Sequence, residues 1–257
     1  MKKLVLNQIL RAKFLQPLWE KVHSLSIVFM NFWGGAHFED SGELWVIENM
    51  VKQNDQNEIT VFDVGANQGF YALALQRILG SNADIFCFEP SESTYKELQN
   101  NVAAKTNIKI FNFGFSDKQE QLVLYSTKAS NGLGSIYGDN PLTEFKHQEV
   151  ISLNMLDVFC QSNHIQVIDF LKIDVEGHEY KVLLGSIEML KQGKIKAIQF
   201  EIGECNIVSR TFFRDFYELL KDQYRIYRVL PNGVREIKTY KTIDEIFVCV
   251  NYIAIKK

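Results

Sequence analysis

The sequence predicts an α/β fold built around a mostly parallel sheet of seven strands. From Ile59 onward, short β-rich runs alternate with longer helical patterns, which is typical of βαβ units. Several short runs, such as IFCF, FLKI and AIQF, are almost continuously apolar, as expected of parallel strands buried on both faces. A Pro231-Asn232-Gly233 turn between two β-type runs predicts that the sheet ends in an antiparallel hairpin.

These patterns place the individual elements along the chain. The predicted strands are residues 60–64, 84–88, 108–113, 170–174, 197–201, 225–230 and 247–252. The predicted helices are residues 68–79, 93–104, 179–190 and 212–222. Two insertions interrupt the alternation: residues 116–127 predict a hairpin, and the glycine-rich residues 130–138 predict a mobile loop that covers an active site.

Residues 1–57 predict a helical N-terminal extension, and residues 58–257 the main domain. Two lysines and a short apolar run open the chain, but Asn7 and Gln8 interrupt the run and no cleavage site follows, which argues against a secretory signal. Residues 25–33 are apolar but too short to span a bilayer. We expect the apolar face of the extension to pack on the main domain or on a second subunit, as in a homodimer. Peripheral membrane contact is the alternative.

Composition narrows the classes of partner and compartment. The net charge of −3 leaves no basic surplus, so we expect no nucleic-acid partner. The four cysteines form no CxxC pair, and Cys87 and Cys249 lie in apolar runs. Such cysteines are typical of reduced structural thiols, which predicts a cytoplasmic protein.

The first candidate site is the turn DVGANQG, which directly follows the first predicted strand. Gly65 lets the backbone turn sharply and approach a ligand, and Gly69 opens a helix whose first N–H groups are unpaired. The spacing G-x-x-x-G, with Asn67 between the glycines, differs from the G-x-G-x-x-G of nicotinamide dehydrogenases. We therefore predict that this turn, which includes Asp63, binds a ligand. A turn that merely redirects the chain is the alternative, and a dinucleotide site stays open on this motif alone.

A second acidic residue indicates the kind of ligand. Glu89 ends the apolar run of the second predicted strand, where a carboxylate can accept hydrogen bonds from both hydroxyls of a ribose. Because Asp63 would repel a pyrophosphate, the two acids together suit a nucleoside that carries positive charge. S-adenosylmethionine combines a ribose with an ammonium and a sulfonium, and it is the predicted cofactor.

The third motif, FLKIDVEGHE, covers residues 170–179 and places Lys172, Asp174, Glu176 and His178 where a central strand leaves the sheet. Ionisable groups are costly to bury there unless they are paired or used. Active sites of open α/β sheets lie at the carboxyl ends of strands. The alternative interpretation is a surface turn with solvated charges; HEYKV does not match the H-E-x-x-H of zinc proteases.

Taken together, these stretches closely resemble the FkbM-type methyltransferases. The resemblance rests on VFDVGANQGFYAL, FCFEPSE, NFGFSD, LDVF, LKIDVEGHE and FEIGE, which follow in this order over residues 58–204. It implies a class I S-adenosylmethionine-dependent methyltransferase fold, a Rossmann-like sandwich. It also implies, most often, O-methylation of a sugar or glycoside hydroxyl, on a nucleotide sugar, a surface polysaccharide or a glycolipid precursor.

The resemblance also implies roles for individual residues. The cofactor turn and the ribose-binding acid would be Asp63, Gly65, Asn67, Gly69 and Glu89. Ser116 and Asp117 match the place where such enzymes contact the adenine edge, although Asp117 could equally cap the hairpin turn. The candidates for acceptor binding and base catalysis are Lys172, Asp174, Glu176, His178 and Glu201.

Two of these residues are candidate general bases. Methyl transfer is an in-line displacement in which positioning makes the largest contribution, and a base that takes the hydroxyl proton adds about 10²–10⁴-fold. We place Asp174 before His178, since the first helical turn could point His178 into solvent. Lys172 could pair with Glu176 or Glu201, or bind an anionic group of the substrate. We predict no metal, because no second ligand cluster supports an ion held by Asp174, Glu176 and His178.

Other functions stay open at this point. Residues 140–142 (NPL) superficially resemble the N-P-P-Y/F motif of amino-methylating enzymes that act on nucleic acid, but they lack the second proline and the aromatic residue. The chain could also be a methyltransferase-fold binding or scaffold subunit without catalysis, or a methyltransferase of a non-sugar small molecule. Substrate choice could be encoded before residue 55 or in the C-terminal third, which the resemblance does not cover.

Overall fold

The structure, a computed structural model, describes residues 10–32, 38–52, 58–127, 134–138 and 144–257 of the chain. Its strands are β1 (Ile59–Val64), β2 (Ala83–Phe88), β3 (Ile108–Phe111), β4 (Gly114–Phe115), β5 (Glu120–Ser126), β6 (Gly134–Ser135), β7 (His147–Asn154), β8 (Ile168–Ile173), β9 (Ile195–Ile202), β10 (Tyr224–Leu230), β11 (Gly233–Glu236) and β12 (Val250–Lys256). Its α-helices are α1 (Gln16–Phe29), α2 (Glu43–Val46), α3 (Phe70–Leu79), α4 (Glu92–Val102), α5 (Leu156–Ser162), α6 (Glu179–Leu184), α7 (Ile187–Lys191), α8 (Cys205–Ser209) and α9 (Phe213–Leu220). A π-helical turn, Ile47–Val51, continues α2, and 3-10 turns cover Lys13–Leu15 and Thr242–Asp244.

Eight strands form the main sheet, in the order β11-β10-β12-β9-β8-β1-β2-β3. Strands β9, β8, β1, β2 and β3 are parallel, whereas β12 lies antiparallel between β9 and β10. The predicted α/β fold with a mostly parallel sheet is confirmed, but the sheet has eight strands where we predicted seven. The additional strand is β11, which continues the antiparallel pairing with β10 after the turn at Pro231 and Asn232.

Alternation along the strands divides the apolar core between the two faces of this sheet. In β2, Ala83, Ile85 and Cys87 belong to one buried cluster, and Phe86 and Phe88 belong to the other. Side chains of α3 and α4 complete the first cluster, and side chains of α5, α6, α7 and α9 complete the second. The result is a sandwich in which helices cover both faces of the sheet.

Most predicted elements differ from the structure by one or two residues at an end, and three differ in a way that has a local explanation or changes their extent more. The helix predicted over 179–190 is divided at Gly185 and Ser186 into α6 and α7. A glycine is a poor helix former, and the Ser186 hydroxyl donates a hydrogen bond to the carbonyl of Leu183, which competes with helical pairing. The strand predicted over 108–113 ends at Phe111, and the one predicted over 247–252 begins only at Val250.

The hairpin predicted over 116–127 is wrong. Strand β5 pairs antiparallel with β7, and β4 pairs parallel with β7, so that β4 and β5 are not neighbours in the second sheet, which has the order β4-β7-β5-β6. The partner of β5 comes from more than twenty residues further along the chain, and local turn signals cannot reveal such a pairing. Part of the predicted mobile loop forms β6; residues 130–133 of that loop, and residues 140–142, lie outside the described residues.

The described parts of the N-terminal segment differ in how they meet the rest of the protein. Val46, Ile47 and Val51 are buried in the same cluster as Ile59 and Val61, whereas α1 buries none of its residues. Residues 1–9, 33–37 and 53–57 lie outside the described residues, and the predicted domain boundary stays a prediction. In the described ranges, no helix is long and apolar enough to cross a membrane.

Candidate active site

A cavity of about 1010 Å³ lies at the carboxyl ends of β1, β2 and β8. Its walls include Gly65, Glu89 and Asp174, one from each of the three motifs, together with Phe38 and Glu43 from the N-terminal segment. These motifs meet because parallel neighbouring strands end at the same edge of the sheet. The volume lies at the upper end of the range of small-molecule sites.

The turn after β1 has a left-handed backbone at three positions. The φ angle is +80° at Gly65, +50° at Asn67 and +84° at Gly69. A Cβ on Gly65 would lie 1.8 Å from the carbonyl oxygen of Asp174, so only glycine lets β1 and β8 leave the sheet side by side. Gly65 and Asn67 line the cavity, but Gly69 is not among its described lining residues. A Cβ on Gly69 would lie 2.5 Å from the side chain of Leu98, so this glycine allows α3 to pack on α4.

Glu89, at the tip of β2, joins this turn to the cavity. One carboxylate oxygen accepts a hydrogen bond from the backbone N–H of Asn67 (3.0 Å), and the other accepts one from the N–H of Ser91 (2.9 Å). Burial raises the pKa of Glu89 to about 7, and these two hydrogen bonds limit the rise. The side-chain oxygen of Asn67 is buried without a hydrogen-bond partner among the described residues. The cavity thus offers two kinds of acceptor to the hydroxyl and ammonium donors of a ligand, which fits S-adenosylmethionine.

A row of buried polar side chains crosses the sheet beneath the turn. Asp63 on β1 lies beside Lys172 on β8, which in turn lies beside Gln199 on β9. The Lys172 ammonium is 3.4 Å from Asp63, 3.2 Å from Asp174 and 4.7 Å from the centre of the Tyr71 ring. Burial lowers the pKa of Lys172, but the nearby carboxylates of Asp174 and Asp63 raise it by more than burial lowers it. The net pKa is therefore raised, and the ammonium group stays charged. Asp63 is fully buried and is not among the described lining residues, so it supports the cavity from below.

Glu43 extends this row from the N-terminal segment, and no sequence motif predicted it. Its carboxylate accepts hydrogen bonds from Ser41 (3.0 Å), from Asn251 (3.2 Å) and from the amide of Gln199. Gln199 in turn accepts a hydrogen bond from the hydroxyl of Tyr71 (3.2 Å). Gln199 could be recognised in the sequence as a polar residue inside an apolar strand. Glu43 could not be recognised from the spacing of the residues around it, because its hydrogen-bond partners Gln199 and Asn251 are far away in the chain.

Two further carboxyl groups lie where the cavity joins a second one of about 410 Å³. Glu176 and Glu201 line both cavities, and the half-exposed side chain of Asp174 lines the larger one. The thiol of Cys205 donates a hydrogen bond to Glu176 (3.2 Å), whose pKa burial raises to about 7. Burial, with the charges of Asp174 and Glu176, raises the pKa of Glu201 well above its ordinary value. The junction therefore combines an accessible carboxylate with two groups that burial favours in the protonated form.

His178 is buried and does not point into solvent. Its Nδ1 lies 3.1 Å from the hydroxyl of Tyr137, and its Nε2 lies 3.0 Å from the hydroxyl of Ser116. Burial lowers the pKa of His178 to about 4, so the ring is neutral and weakly basic at neutral pH. With both ring nitrogens engaged, His178 is a weaker candidate base than Asp174. In the described part of the chain, no group of three His, Cys, Asp or Glu side chains is arranged to hold a metal ion.

Ser116 and Asp117 lie behind the cavity wall. The Ser116 hydroxyl donates a hydrogen bond to Asp117 (3.2 Å), and Asp117 forms an ion pair with Lys181 at 2.6 Å. Neither residue is among the described lining residues, whereas Gly114 and Phe115, directly before them, are. The geometry therefore does not favour the predicted contact of Ser116 and Asp117 with an adenine edge.

The buried carboxyl groups predict that stability falls as the pH rises. Burial raises the pKa of Glu43, Glu89, Glu176 and Glu179 from 4.5 to about 7. Between pH 4.5 and about 7, the folded state binds more protons than the unfolded state, and this proton binding stabilises the folded state. The stabilisation is complete below pH 4.5 and is lost as the pH rises through 7. We expect the melting temperature of the cofactor-free protein to fall by several degrees from about pH 5.5 to about pH 8 at constant ionic strength.

Two variants sharpen this measurement. Glu43→Gln removes one of the titrations with little change of shape, so its melting temperature should depend less steeply on pH. Glu92→Gln, at an exposed position, should follow the wild-type curve. A melting temperature that rises with pH in the wild-type protein would contradict the assignment.

Comparison with known proteins identifies similar chains. The family model described as the methyltransferase FkbM domain matches residues 63–228. The chain is 26% identical over 164 residues to the hexuronic acid methyltransferase AglP of Haloferax volcanii, a match that covers 63% of this chain and 64% of that protein. It is 24% identical over 162 residues to the 2-O-methyltransferase NoeI of Sinorhizobium fredii, covering 58% and 66%. The chain thus spans just under two thirds of the length of these curated relatives.

Solved structures give weaker likenesses. A methyltransferase FkbM from Methylobacillus flagellatus is 15% identical with a TM-score of 0.47, covering 79% of this chain and 45% of that one. A methyltransferase from Agrobacterium tumefaciens is 10% identical with a TM-score of 0.49, covering 87% and 64%. Both TM-scores are below 0.5, so neither of these two structures by itself shows the fold of this chain. The family match and the strand order of the main sheet confirm the predicted class I methyltransferase fold.

Proposed function

The chain belongs to the FkbM methyltransferase family, and from this premise we propose that it is an S-adenosylmethionine-dependent O-methyltransferase that acts on a hydroxyl of a sugar or glycoside. The names of two relatives support this acceptor class, since one is a hexuronic acid methyltransferase and the other a 2-O-methyltransferase. The acceptor, like the activity of the whole protein, is part of the proposal.

The larger cavity would hold the cofactor. Glu89 would accept hydrogen bonds from the ribose hydroxyls, and the unpartnered side-chain oxygen of Asn67 would accept one from the ammonium group. When bound, S-adenosylmethionine supplies an electrophilic methyl group on a sulfonium.

The observation that carries the proposal is the smaller cavity, which adjoins the larger one at Glu176 and Glu201. A volume of about 410 Å³ is that of a site for a small ligand. Carboxyl groups accept hydrogen bonds from hydroxyls, and the Phe145 ring in the same wall offers an apolar surface to the C–H face of a sugar. Glu179 and Glu204 also line this cavity, and none of its described lining residues is lysine or arginine. We therefore expect a neutral sugar or an amino sugar to bind better than a uronate.

Within this arrangement, Asp174 would take the proton from the acceptor hydroxyl. Its side chain is open to the cavity, and the ammonium of Lys172, 3.2 Å away, fixes its position. Lys172 is itself held by Asp63 and by the Tyr71 ring, so the carboxylate is oriented before the acceptor arrives. Alignment of the hydroxyl and removal of its proton are the contributions that these side chains make.

Turnover with a defined acceptor tests the proposal. Purified protein is incubated with S-adenosylmethionine and a panel of nucleotide sugars and glycans, and S-adenosylhomocysteine is measured by mass spectrometry against a sample without acceptor. We expect acceptor-dependent product carrying one new O-methyl group, with neutral or amino sugars above uronates. Cofactor binding without turnover on any acceptor would instead support a scaffold subunit, and turnover only on non-sugar hydroxyls would support a different small-molecule methyltransferase.

A further inference from the structure

The helix α1 exposes apolar side chains on the side that faces away from the protein. Positions 14, 18, 22, 25 and 29 are spaced by three or four residues, so they share one side of the helix and of the turn before it. All five side chains are exposed, from 46% to 83%, and we call this surface the α1 stripe: Phe14, Leu18, Val22, Leu25 and Phe29.

The C-terminal end of α1 fixes the orientation of the stripe. Ile27, on the opposite side of the helix, packs against the core. The side-chain amide of Asn31 donates hydrogen bonds to the carbonyls of Ser41 (2.9 Å) and Val229 (3.2 Å). Phe32 is buried beneath the guanidinium of Arg228. These contacts hold the C-terminal end of α1 against the protein. Because the side of the helix that carries Ile27 faces the core, the α1 stripe on the opposite side faces outward.

Charge indicates what covers the stripe. Residues 1–30 contain five lysine or arginine residues and one acidic residue, whereas the remaining residues contain 23 basic and 30 acidic ones. Among the described residues, Arg11 and Lys13 lie beside the start of the stripe, and Lys21 lies within it, between Leu18 and Leu25. Positive charge is therefore concentrated around the apolar surface of an otherwise acidic protein.

We propose that the α1 stripe binds the surface of an anionic lipid bilayer, with α1 lying in the plane of the interface. An exposed apolar side combined with lysine and arginine is typical of interfacial helices, and basic residues next to a membrane are attracted to anionic lipids. Trp19, at the edge of the stripe, is a residue type enriched at the membrane interface. A second copy of the chain would bring two positively charged segments together, which opposes a dimer through this surface.

Co-sedimentation with vesicles tests the proposal on the full chain. One set of vesicles contains phosphatidylglycerol and phosphatidylcholine in equal parts, and the other contains phosphatidylcholine alone. We expect binding to the anionic vesicles that weakens as salt is raised, with little binding to the neutral ones. The double variant Leu18→Glu/Leu25→Glu should bind at least about tenfold more weakly, because it places charge in the apolar surface.

The matched control is Val150→Glu/Ile243→Glu, which alters two apolar residues that lie elsewhere and are more exposed than Leu18 and Leu25. This control should bind vesicles like the wild type. Circular dichroism and melting temperature show whether each variant is folded, and turnover on a water-soluble acceptor should be the same in all of them, which separates this test from that of the methyltransferase activity.

Three outcomes would overturn the proposal. The first is a wild-type protein that sediments with neither kind of vesicle. The second is a folded Leu18→Glu/Leu25→Glu variant that binds as tightly as the wild type. The third is a wild-type dimer in sedimentation velocity that this variant converts to a monomer without any vesicle binding by the wild type, which would assign the stripe to a subunit interface.

Discussion

Replacing Asp174 by asparagine is expected to lower turnover by about 10²–10⁴-fold, the contribution of a positioned general base. The affinity for S-adenosylmethionine should change little, because asparagine has the same shape and Glu89 would still hold the ribose. The substitution does not leave a buried cation without a partner, since Lys172 keeps its ion pair with Asp63 at 3.4 Å. Single-turnover formation of S-adenosylhomocysteine measures the chemical step, and calorimetry measures cofactor affinity separately.

The variant His178→Gln distinguishes the two candidate bases. The neutral ring of His178 already bonds Tyr137 and Ser116, so its loss should affect melting temperature more than the chemical step. If the folded His178→Gln protein lost turnover while Asp174→Asn kept the wild-type rate, the assignment of the base would be wrong. A loss of cofactor affinity in Asp174→Asn would show instead that this carboxylate serves cofactor binding.

The fold and the position of the site could largely be predicted from local patterns. Apolar runs and turn residues mark where each strand of a parallel sheet ends, and parallel topology brings those ends together. Gly65, Glu89 and Asp174 are far apart in the chain, yet each directly follows such a run, and all three line one cavity. Periodicity and strand topology were therefore sufficient to predict the fold class and the position of the site.

Contacts between distant segments could not be predicted in this way. The pairing of β5 with β7 and the hydrogen bonds of Glu43 with Gln199 and Asn251 depend on how separate parts of the chain meet in space. Gln199 is visible as a polar residue within an apolar strand, but the sequence does not show which group satisfies it. The observed ends of strands and helices differ from the predicted ones for a related reason, because tertiary packing helps to decide where each element ends.

A motif residue also does not have to touch the ligand of its motif. Asp63, Gly69, Ser116 and Asp117 belong to stretches that resemble the cofactor site of the family, but none is among the described residues that line the cavity. Asp63 fixes Lys172 from below, and Gly69 gives room for Leu98. Sequence patterns indicate which segments build a site, whereas the direction of each side chain follows from the strand register and the backbone angles.

Replacing Glu89 by alanine is expected to weaken S-adenosylmethionine binding by about 100-fold or more. Hydrogen bonds to a charged group contribute about 1.5–3 kcal/mol each, and the loss of two from the ribose hydroxyls corresponds to this factor. The carboxylate also accepts hydrogen bonds from the backbone N–H groups of Asn67 and Ser91. Its removal therefore also loosens the turn that contains Asn67. Calorimetry at constant pH measures the change, with Glu92→Ala, an exposed glutamate three residues further on, as the matched control.

The pH dependence separates a binding carboxylate from a structural one. The pKa of Glu89 is raised by burial to about 7 in the free protein, and the ionised form is the better acceptor for hydroxyl groups. Wild-type affinity for the cofactor should therefore increase from about pH 6 to about pH 8, and Glu89→Ala should show a flatter profile. A folded Glu89→Ala protein with wild-type affinity would exclude Glu89 from the cofactor site. A weakened variant that kept the wild-type pH profile would mean that Glu89 acts only by shaping the turn around Asn67.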